Sequence, residues 1–199
     1  MQSQAELVQH LIRTGILRSP ALIDAFSTID RIDFVRPEYQ HEAYGDFPLP
    51  IGYGQTISQP YTVAFMLEAL QPGPEDTILD IGSGSGWTTA LLARCAKDVT
   101  GVERIAELVT FARDNLARYN FDNASVQQAG RELGIPSKTF DKILVSAAAD
   151  ELPRSLLEQL NPGGTLVIPI RNSIVVLNKM QNGEISQRTH QGFVFVPLI

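Results

Sequence analysis

The sequence predicts an α/β fold built on a mostly parallel sheet with helices on both faces. From Thr77 onward, short apolar runs typical of strands alternate with segments of helical periodicity. The first of these runs ends in an acid and three alternating glycines. Near the C-terminus, strand-like runs flank Asn182-Gly183, a pair typical of a two-residue hairpin turn. These three observations indicate a Rossmann-like, doubly wound sheet that ends in an antiparallel hairpin.

The N-terminal part is expected to be helical and then irregular. One helix is predicted within residues 4–17, where apolar side chains share one face and Gly15 marks the end, and a second begins at Pro20. Residues 30–46 are expected to be irregular. Residues 47–58 are expected to form a loop without a regular element, because two prolines and two glycines interrupt them. A third helix is predicted to follow Pro60.

The rest of the chain supplies the sheet and its helices. Strands are predicted at residues 77–81, 98–103, 125–129, 142–145 and 165–170, with helices at residues 86–96, 105–119 and 153–160 and a turn at residues 162–164. In the tail, strands are predicted at residues 174–180, 185–189 and 193–196. We interpret residues 1–199 as a single domain with three parts. These are an N-terminal helical and lid region (1–59), a cofactor-binding α/β core (60–170) and C-terminal antiparallel strands (171–199).

Composition narrows the class of protein. The chain has 199 residues, 44% of them hydrophobic, and no apolar run of membrane-spanning length is present. The first ten residues are polar, so no secretory signal is expected and a cytoplasmic location is predicted. The formal charge of −6 argues against nucleic acid as a partner. Cys95 lies in an apolar helical pattern and is expected in the core. No metal site and no membrane partner are expected, and without a heptad repeat we expect a monomer.

The chemistry is concentrated in the stretch Thr77–Gly86, which reads T-I-L-D-I-G-S-G-S-G. A strand leads into a glycine turn, and Glu103 follows at the end of the next predicted strand. This is the sequence form of a nucleoside-binding crevice. A dinucleotide fingerprint requires a third glycine where Trp87 stands, so S-adenosyl-L-methionine is favoured over a nicotinamide dinucleotide. A tight turn that binds no ligand is the remaining interpretation.

Each candidate residue has a chemical reason. Asp80 suits the cationic amino-acid part of the methyl donor, and Glu103 suits the two ribose hydroxyls. The turn between them brings backbone groups against the ligand. Its predicted cofactor-binding residues are Gly82, Ser83, Gly84, Ser85 and Gly86.

Several stretches resemble the protein-L-isoaspartate O-methyltransferase family, over nearly the whole chain. They are F-P-L-P-I-G-Y-G-Q-T-I-S-Q-P at residues 47–60, L-D-I-G-S-G-S-G at 79–86, V-E-R-I at 102–105, F-D-K-I-L-V-S-A-A at 140–148, Q-L-N-P-G-G at 159–164 and F-V-P-L at 195–198. The resemblance implies methylation of the free carboxylate of L-isoaspartyl or D-aspartyl residues in damaged proteins. The ester then collapses to a succinimide, which reopens partly to normal aspartate.

The resemblance also implies roles for individual residues. Ser58 is the active-site serine, Gln55, Thr56 and Ile57 line the same pocket, and residues 47–54 form a lid. A second interpretation of Ser58 is that it caps the helix opened by Pro60. A carboxylate is already ionised at neutral pH, so no general base is required. The three histidines lie outside every motif and are expected at the surface.

The chain departs from the family at two places. The family has G-D-G after the third strand, where this chain has Ala129-Gly130-Arg131, so Gly130 and Arg131 stand at the predicted adenine edge. After the last parallel strand the family has a glycine where this chain has Arg171. Either arginine is a candidate for a cationic contact to substrate or a solvated loop residue. Three hypotheses therefore stay open: isoaspartyl repair, methyl transfer to another carboxylate, small molecule or RNA, and a non-catalytic cofactor-binding module.

Overall fold

The structure is a computed structural model that describes residues 1–198. The N-terminal part contains helix α1 (Gln4–Arg13), helix α2 (Pro20–Thr28), two short 3-10 helices (Arg31–Phe34 and Pro37–Glu42), strands β1 (Leu49–Gly52) and β2 (Gln55–Ile57), and helix α3 (Pro60–Leu70). Helix α1 ends at Arg13, two residues before Gly15, which was predicted to mark its end. The chain reverses at Gly15, whose φ is +73°, and the Leu17 N–H donates back to the Leu11 carbonyl.

The predicted loop over residues 47–58 is instead a β-hairpin. Strands β1 and β2 pair antiparallel, with Leu49 opposite Ile57. Gly52, Tyr53 and Gly54 form the turn, all with positive φ. The prediction of no regular element was wrong because these glycines close a hairpin rather than interrupt the chain. Alternate residues of β1 are buried, which fastens the hairpin to the core.

A seven-stranded sheet forms the centre of the molecule. Its elements, in chain order, are β3 (Thr77–Ile81), α4 (Trp87–Ala93), β4 (Asp98–Glu103), α5 (Ala106–Ala117), β5 (Ala124–Gln128), β6 (Phe140–Val145), α6 (Arg154–Glu158), β7 (Leu160–Ile170), β8 (Ser173–Lys179) and β9 (Ile185–Gln191). The strand order is β5-β4-β3-β6-β7-β8-β9. The first five strands are parallel, and β8 and β9 are antiparallel. Helices cover both sides of the sheet, over two buried apolar clusters, so the predicted fold class is confirmed.

Two predictions for the C-terminal part were wrong. Residues 162–164 do not form a separate turn, because β7 starts at Leu160 and passes through them with a shift in its pairing to β6. Residues 193–196 are not a strand. Gly192, with φ +96°, ends β9, and the chain then crosses back over the sheet until Pro197 forms an isolated bridge with Ala148.

This crossing places the C-terminal segment above the carboxyl end of β6. The neighbouring strand β3 continues to β4 on its other side, so the strand order reverses between β3 and β6. Ligands of open α/β sheets bind in the crevice at such a reversal. No helix within residues 1–198 is both long and apolar enough to cross a bilayer.

Candidate active site

A cavity of about 350 Å³ lies at this reversal. Its walls come from the hairpin and the residues leading into α3, the glycine turn after β3, the end of β4, the loop after β5, and the end of β6 with the C-terminal segment. The volume lies in the range of small-molecule sites, roughly 300–1,000 Å³.

Glu103 connects the end of β4 to the glycine turn. Its Oε2 accepts a hydrogen bond from the Gly84 N–H at 3.0 Å, and its Oε1 accepts one from the Ile105 N–H at 3.0 Å. Each carboxylate oxygen carries a second lone pair, so Glu103 keeps acceptor capacity for ligand hydroxyls in the cavity wall. The carboxylate therefore both shapes the turn and presents acceptors to a ligand.

Two polar groups in the same wall have no partner within residues 1–198. They are the hydroxyl of Ser83 and the indole N–H of Trp87, and both are buried. Buried polar groups in proteins are almost always hydrogen-bonded. Unpaired groups in a cavity wall therefore indicate a site that a polar ligand completes.

Asp80 lies beneath the turn and is fully buried. Its Oδ2 accepts hydrogen bonds from the hydroxyls of Thr88 and Thr89, both at 2.7 Å, while Oδ1 has no partner within the described residues. Burial raises the pKa of Asp80 from 3.8 to about 6, against the two hydroxyl hydrogen bonds, which lower it, and with a smaller rise from nearby Glu103. The carboxylate connects the end of β3 to the first turn of α4.

The last glycine of the turn has a packing function in this fold. Gly86 has φ +87°, and a Cβ built there would come within 3.2–3.3 Å of Ala112 in α5. A larger residue would therefore push α4 away from α5. Gly84 has φ +54°, and a Cβ there would come within 3.2 Å of the Ile51 side chain of the hairpin. The hairpin thus packs directly on the turn.

Ser58 lies between β2 and α3, in the cavity wall. Its backbone carbonyl accepts a hydrogen bond from Arg31 Nη2 at 3.1 Å. The guanidinium also donates to three carbonyls of the segment before the hairpin, those of Ala43, Gly45 and Phe47. It lies 5.2 Å from the centre of the Trp87 ring, and burial lowers the pKa of Arg31 to about 9. One buried side chain therefore fixes the backbone on both sides of the hairpin.

The interpretation of Ser58 as a helix cap is wrong. The residue at the N-cap position of α3 is Gln59, and its side chain makes no capping hydrogen bond. The carboxylate of Asp46 accepts from the Tyr61 N–H at 2.8 Å instead. The Ser58 hydroxyl has no partner within residues 1–198 and is free for a ligand.

A second, wider hollow of about 710 Å³ opens beside the cavity. It is bounded by the start of α3 and by the C-terminal segment from Gln191 to Val196. Four residues belong to the walls of both spaces: Thr56, Ser58, Ser146 and Val196. We call this shared wall of four residues the neck. The site is thus a cavity joined through the neck to a second hollow.

Residues 2–199 match the family profile described as Protein-L-isoaspartate(D-aspartate) O-methyltransferase. The chain belongs to this family. A protein-L-isoaspartate O-methyltransferase of Methanopyrus kandleri is 42% identical over 207 residues, covering 100% of this chain and 92% of the relative. One from Thermococcus onnurineus is 44% identical over 200 residues, covering 96% and 91%.

A solved structure agrees with the assignment. A Plasmodium falciparum chain described as a protein-L-isoaspartate O-methyltransferase, in complex with S-adenosyl-L-homocysteine, superposes with a TM-score of 0.86. It is 28% identical, and the match covers 100% of this chain and 99% of that one. The family's fold therefore extends over the whole described chain, including the hairpin and the C-terminal segment.

Most of the predicted site residues come together in the cavity wall. They are Ser58 and the predicted cofactor-binding residues Gln55, Thr56, Ile57, Gly82, Ser83, Gly84, Ser85, Glu103, Gly130 and Arg131. Asp80 and Gly86 lie outside this wall, one below the turn and one at the contact of α4 with α5. No cluster of metal-ligand side chains occurs within the described residues.

The two departures from the family differ in position. Gly130 and Arg131 lie in the cavity wall beside Glu132. Arg171 lies in neither wall; it occupies the turn between β7 and β8, with its Nε donating to the Asp150 carbonyl at 3.1 Å. It is exposed and has φ +53°, the left-handed region that favours the family's glycine. Arg171 is therefore a solvated turn residue, whereas Arg131 remains a candidate contact.

Several residues of the site were not found from the sequence. Arg31 stands in a segment predicted to be irregular, and nothing in its surroundings indicates a buried guanidinium. Ser146 and Val196 lie in sequence matches to the family but belong to no chemical motif. Their importance depends on the crossing of the C-terminal segment over β6, which local patterns do not reveal.

Proposed function

We propose that this chain transfers a methyl group from S-adenosyl-L-methionine to the free carboxylate of L-isoaspartyl or D-aspartyl residues in damaged proteins, which starts their repair. The observation that carries the proposal is the joining of two spaces at Ser58. The cavity lined by the glycine turn and Glu103 suits a nucleoside-containing donor, and the hollow lined by Phe193–Val196 suits a protein segment. Family membership supports the same reaction.

The cavity residues fit the methyl donor. Glu103 would accept from the ribose hydroxyls, and the unpaired Ser83 hydroxyl and the backbone of the glycine turn would contact its polar parts. Arg131 and Glu132 lie at the edge expected for the adenine. When bound, the donor supplies a methyl group on a cationic sulfur, which the negative charges of Glu103 and of Asp80 below it favour electrostatically.

The protein's part in the chemistry is to position the substrate. A carboxylate with a pKa of about 4 is ionised at neutral pH and is already a nucleophile. The Ser58 hydroxyl would donate a hydrogen bond to one carboxylate oxygen and leave the other free to attack. The histidines agree with this scheme, because His10 and His41 pair with Asp46 and Glu42 and no histidine lines either space. Holding the reacting atoms together in a space shielded from water supplies the rate enhancement.

The hollow is suited to an extended peptide. Its floor includes Phe193–Val196, a segment outside any strand, in which Val194 is 86% exposed. Of this segment, the Phe193 N–H and the Val196 carbonyl are the groups with backbone partners within residues 1–198. The unpaired N–H and C=O groups between them would bond to a peptide main chain, as in strand addition. Main-chain recognition accepts many sequences, as the repair of damage at scattered sites requires.

We also propose that the chain acts as a monomer in the cytoplasm on protein substrates, without nucleic acid or membrane. Cys95 is buried, and burial raises the pKa of its thiol to about 11, which suppresses the reactive thiolate. The charge of −6 supports a protein rather than a nucleic acid as partner. Light scattering on the purified protein tests the monomer.

A paired-peptide assay tests the activity. The protein is incubated with radiolabelled methyl donor and an isoaspartyl peptide, or with the same peptide carrying normal aspartate. We expect a base-labile methyl ester on the isoaspartyl peptide and none on its twin. Donor binding without ester on either peptide would refute the proposed function. Label in a base-stable product of cell extract would instead favour a different acceptor.

A further inference from the structure

We infer that Ser146 is a second catalytic hydroxyl at the point of methyl transfer, an inference that rests on the proposed function. The neck is where donor and acceptor must meet, because it belongs to the walls of both spaces. Of its four residues, Thr56 and Ser58 come from the hairpin side. Ser146 follows β6 and Val196 belongs to the C-terminal segment, so of these two residues Ser146 supplies a hydroxyl.

The backbone at Ser146 is firmly held. It is the first residue after β6, and its N–H donates to the Ile81 carbonyl at the end of β3 at 2.8 Å. This hydrogen bond extends the pairing of the two central strands by one residue. The Ser146 Cβ lies 3.9 Å from the position of a Cβ built on Gly82. The side chain therefore lies against the glycine turn, at the end of a central strand of the sheet.

The Ser146 hydroxyl is also unengaged. Within residues 1–198 this hydroxyl forms no hydrogen bond. Its oxygen is not fully buried either, so a ligand can reach it. The hydroxyls of Thr88 and Thr89, by contrast, are both engaged by Asp80. Ser58 and Ser146 thus supply two free hydroxyl groups to the neck from different elements of the fold.

Two hydrogen-bond donors at the neck explain how the substrate carboxylate is oriented. The attacking oxygen forms its bond to the methyl carbon while the carbon–sulfur bond breaks, its electron pair moves to sulfur, and no proton is transferred. The other oxygen has two lone pairs and can accept from both hydroxyls. One hydrogen bond leaves the carboxylate free to turn about it, whereas two from different elements fix the direction of attack.

The test compares Ser146→Ala, Ser146→Thr and Ser58→Ala with the unaltered protein on an isoaspartyl peptide. The control is Ser186→Ala on the exposed strand β9, which lies outside both walls. We expect Ser146→Ala to lower kcat roughly ten- to hundredfold, the effect of losing a hydrogen bond to a charged group. Calorimetry should show unchanged affinity for S-adenosyl-L-homocysteine. Ser146→Thr, which keeps the hydroxyl, should recover most of the rate.

The outcomes separate this inference from the proposed function. If the unaltered protein methylates the peptide and Ser146→Ala has the same kcat and KM, the inference is wrong and the proposed function stands. If Ser146→Ala no longer binds S-adenosyl-L-homocysteine, the hydroxyl contacts the methyl donor alone, and the inference is also wrong. Failure of Ser146→Thr to recover activity, while it binds S-adenosyl-L-homocysteine normally, would count against the hydroxyl. No ester from the unaltered protein would refute the proposed function itself.

Discussion

Replacing Asp80 by Asn is expected to change how the stability of the protein depends on pH. Asp80 is completely buried, and its pKa is raised from 3.8 to about 6, chiefly by burial. The native state therefore holds this proton more tightly than the unfolded chain does. The free energy of unfolding must then fall as the pH rises from about 4 to about 6 and stay at the lower value above that. Asn carries no titrating proton and removes this dependence.

The size of the effect on the free energy of unfolding follows from the raised pKa of Asp80. A pKa that rises from 3.8 to about 6, at about 1.4 kcal/mol per pH unit, makes the full effect about 3 kcal/mol. About 2 kcal/mol of it falls between pH values of about 4.5 and 7.5, because the titration has partly begun at the lower value. Relative to the unaltered protein, Asp80→Asn should therefore gain about 2 kcal/mol over that range. The gain is independent of any constant cost of the new amide.

Urea unfolding measures this difference directly. The sequence has one tryptophan, Trp87, which is 1% exposed and reports unfolding by its fluorescence. The control is Asp141→Asn. Burial alone would raise the pKa of Asp141, but hydrogen bonds from Thr77 and Asn161 together outweigh it and lower the pKa. Its titration thus lies below about pH 4, and its stability difference should stay flat over the range. An equally flat difference for Asp80→Asn would refute the account of Asp80 as a buried, destabilised carboxylate.

The same variant tests the predicted contact of Asp80 with the donor. Asp80 lies below the glycine turn, outside the cavity wall, whereas Glu103 lies in it. We expect Asp80→Asn to weaken the binding of S-adenosyl-L-homocysteine less than Glu103→Gln does, as measured by calorimetry. The reverse order would place Asp80 in direct contact with the ligand.

Three further substitutions test the site. Glu103→Gln should weaken S-adenosyl-L-homocysteine binding roughly ten- to hundredfold in calorimetry, because it removes a charged acceptor. Gly86→Ala should destabilise the protein by roughly 1–3 kcal/mol in urea unfolding, since its Cβ meets Ala112 and φ is positive. Arg31→Met should lower the free energy of unfolding by at least about 3 kcal/mol, because buried carbonyls lose their donor. It should also lower kcat, because the Ser58 backbone is no longer held in place.

Each of these results has a contradicting outcome. Glu107→Gln, on the exposed side of α5, is the control for Glu103→Gln, and equal affinities for the two variants would exclude Glu103 from the donor site. If Gly86→Ala has normal stability but no longer binds S-adenosyl-L-homocysteine, Gly86 contacts the cofactor as first predicted. Arg31→Met with unchanged stability would show that the carbonyls find other donors, and the proposed positioning of Ser58 would fail.

The sequence predicted the elements whose pattern is local. Strands β3 and β4 match their predicted bounds, since each is a short run rich in β-branched residues that alternates with helical segments. The hairpin at residues 47–58 was missed because its glycines and prolines, read one by one, resemble breaks. In three dimensions the two glycines form a turn with positive φ, and buried Leu49 and Ile57 hold the two strands together.

The candidate site shows the same division. Glu103 and Ser83 follow strands that were predicted, so their meeting at the sheet edge could be anticipated. Asp80 and Gly86 belong to the same motif but lie outside the cavity wall. Asp80 is buried below the turn and Gly86 packs against α5, and residue spacing predicts neither position. Ser146 becomes visible only when the segment after Gly192 crosses the sheet, since this crossing divides one crevice into two spaces.

In the proposed reaction, the chain esterifies isoaspartyl carboxylates and so returns these residues toward aspartate. Chromatography of an isoaspartyl peptide during prolonged turnover with S-adenosyl-L-methionine tests it most directly. We predict that the isoaspartyl peptide declines, that methyl ester and succinimide appear in turn, and that normal aspartyl peptide accumulates while an aspartyl control is unchanged. An isoaspartyl peptide that persists without ester, in the presence of a protein that binds the donor, would contradict the account.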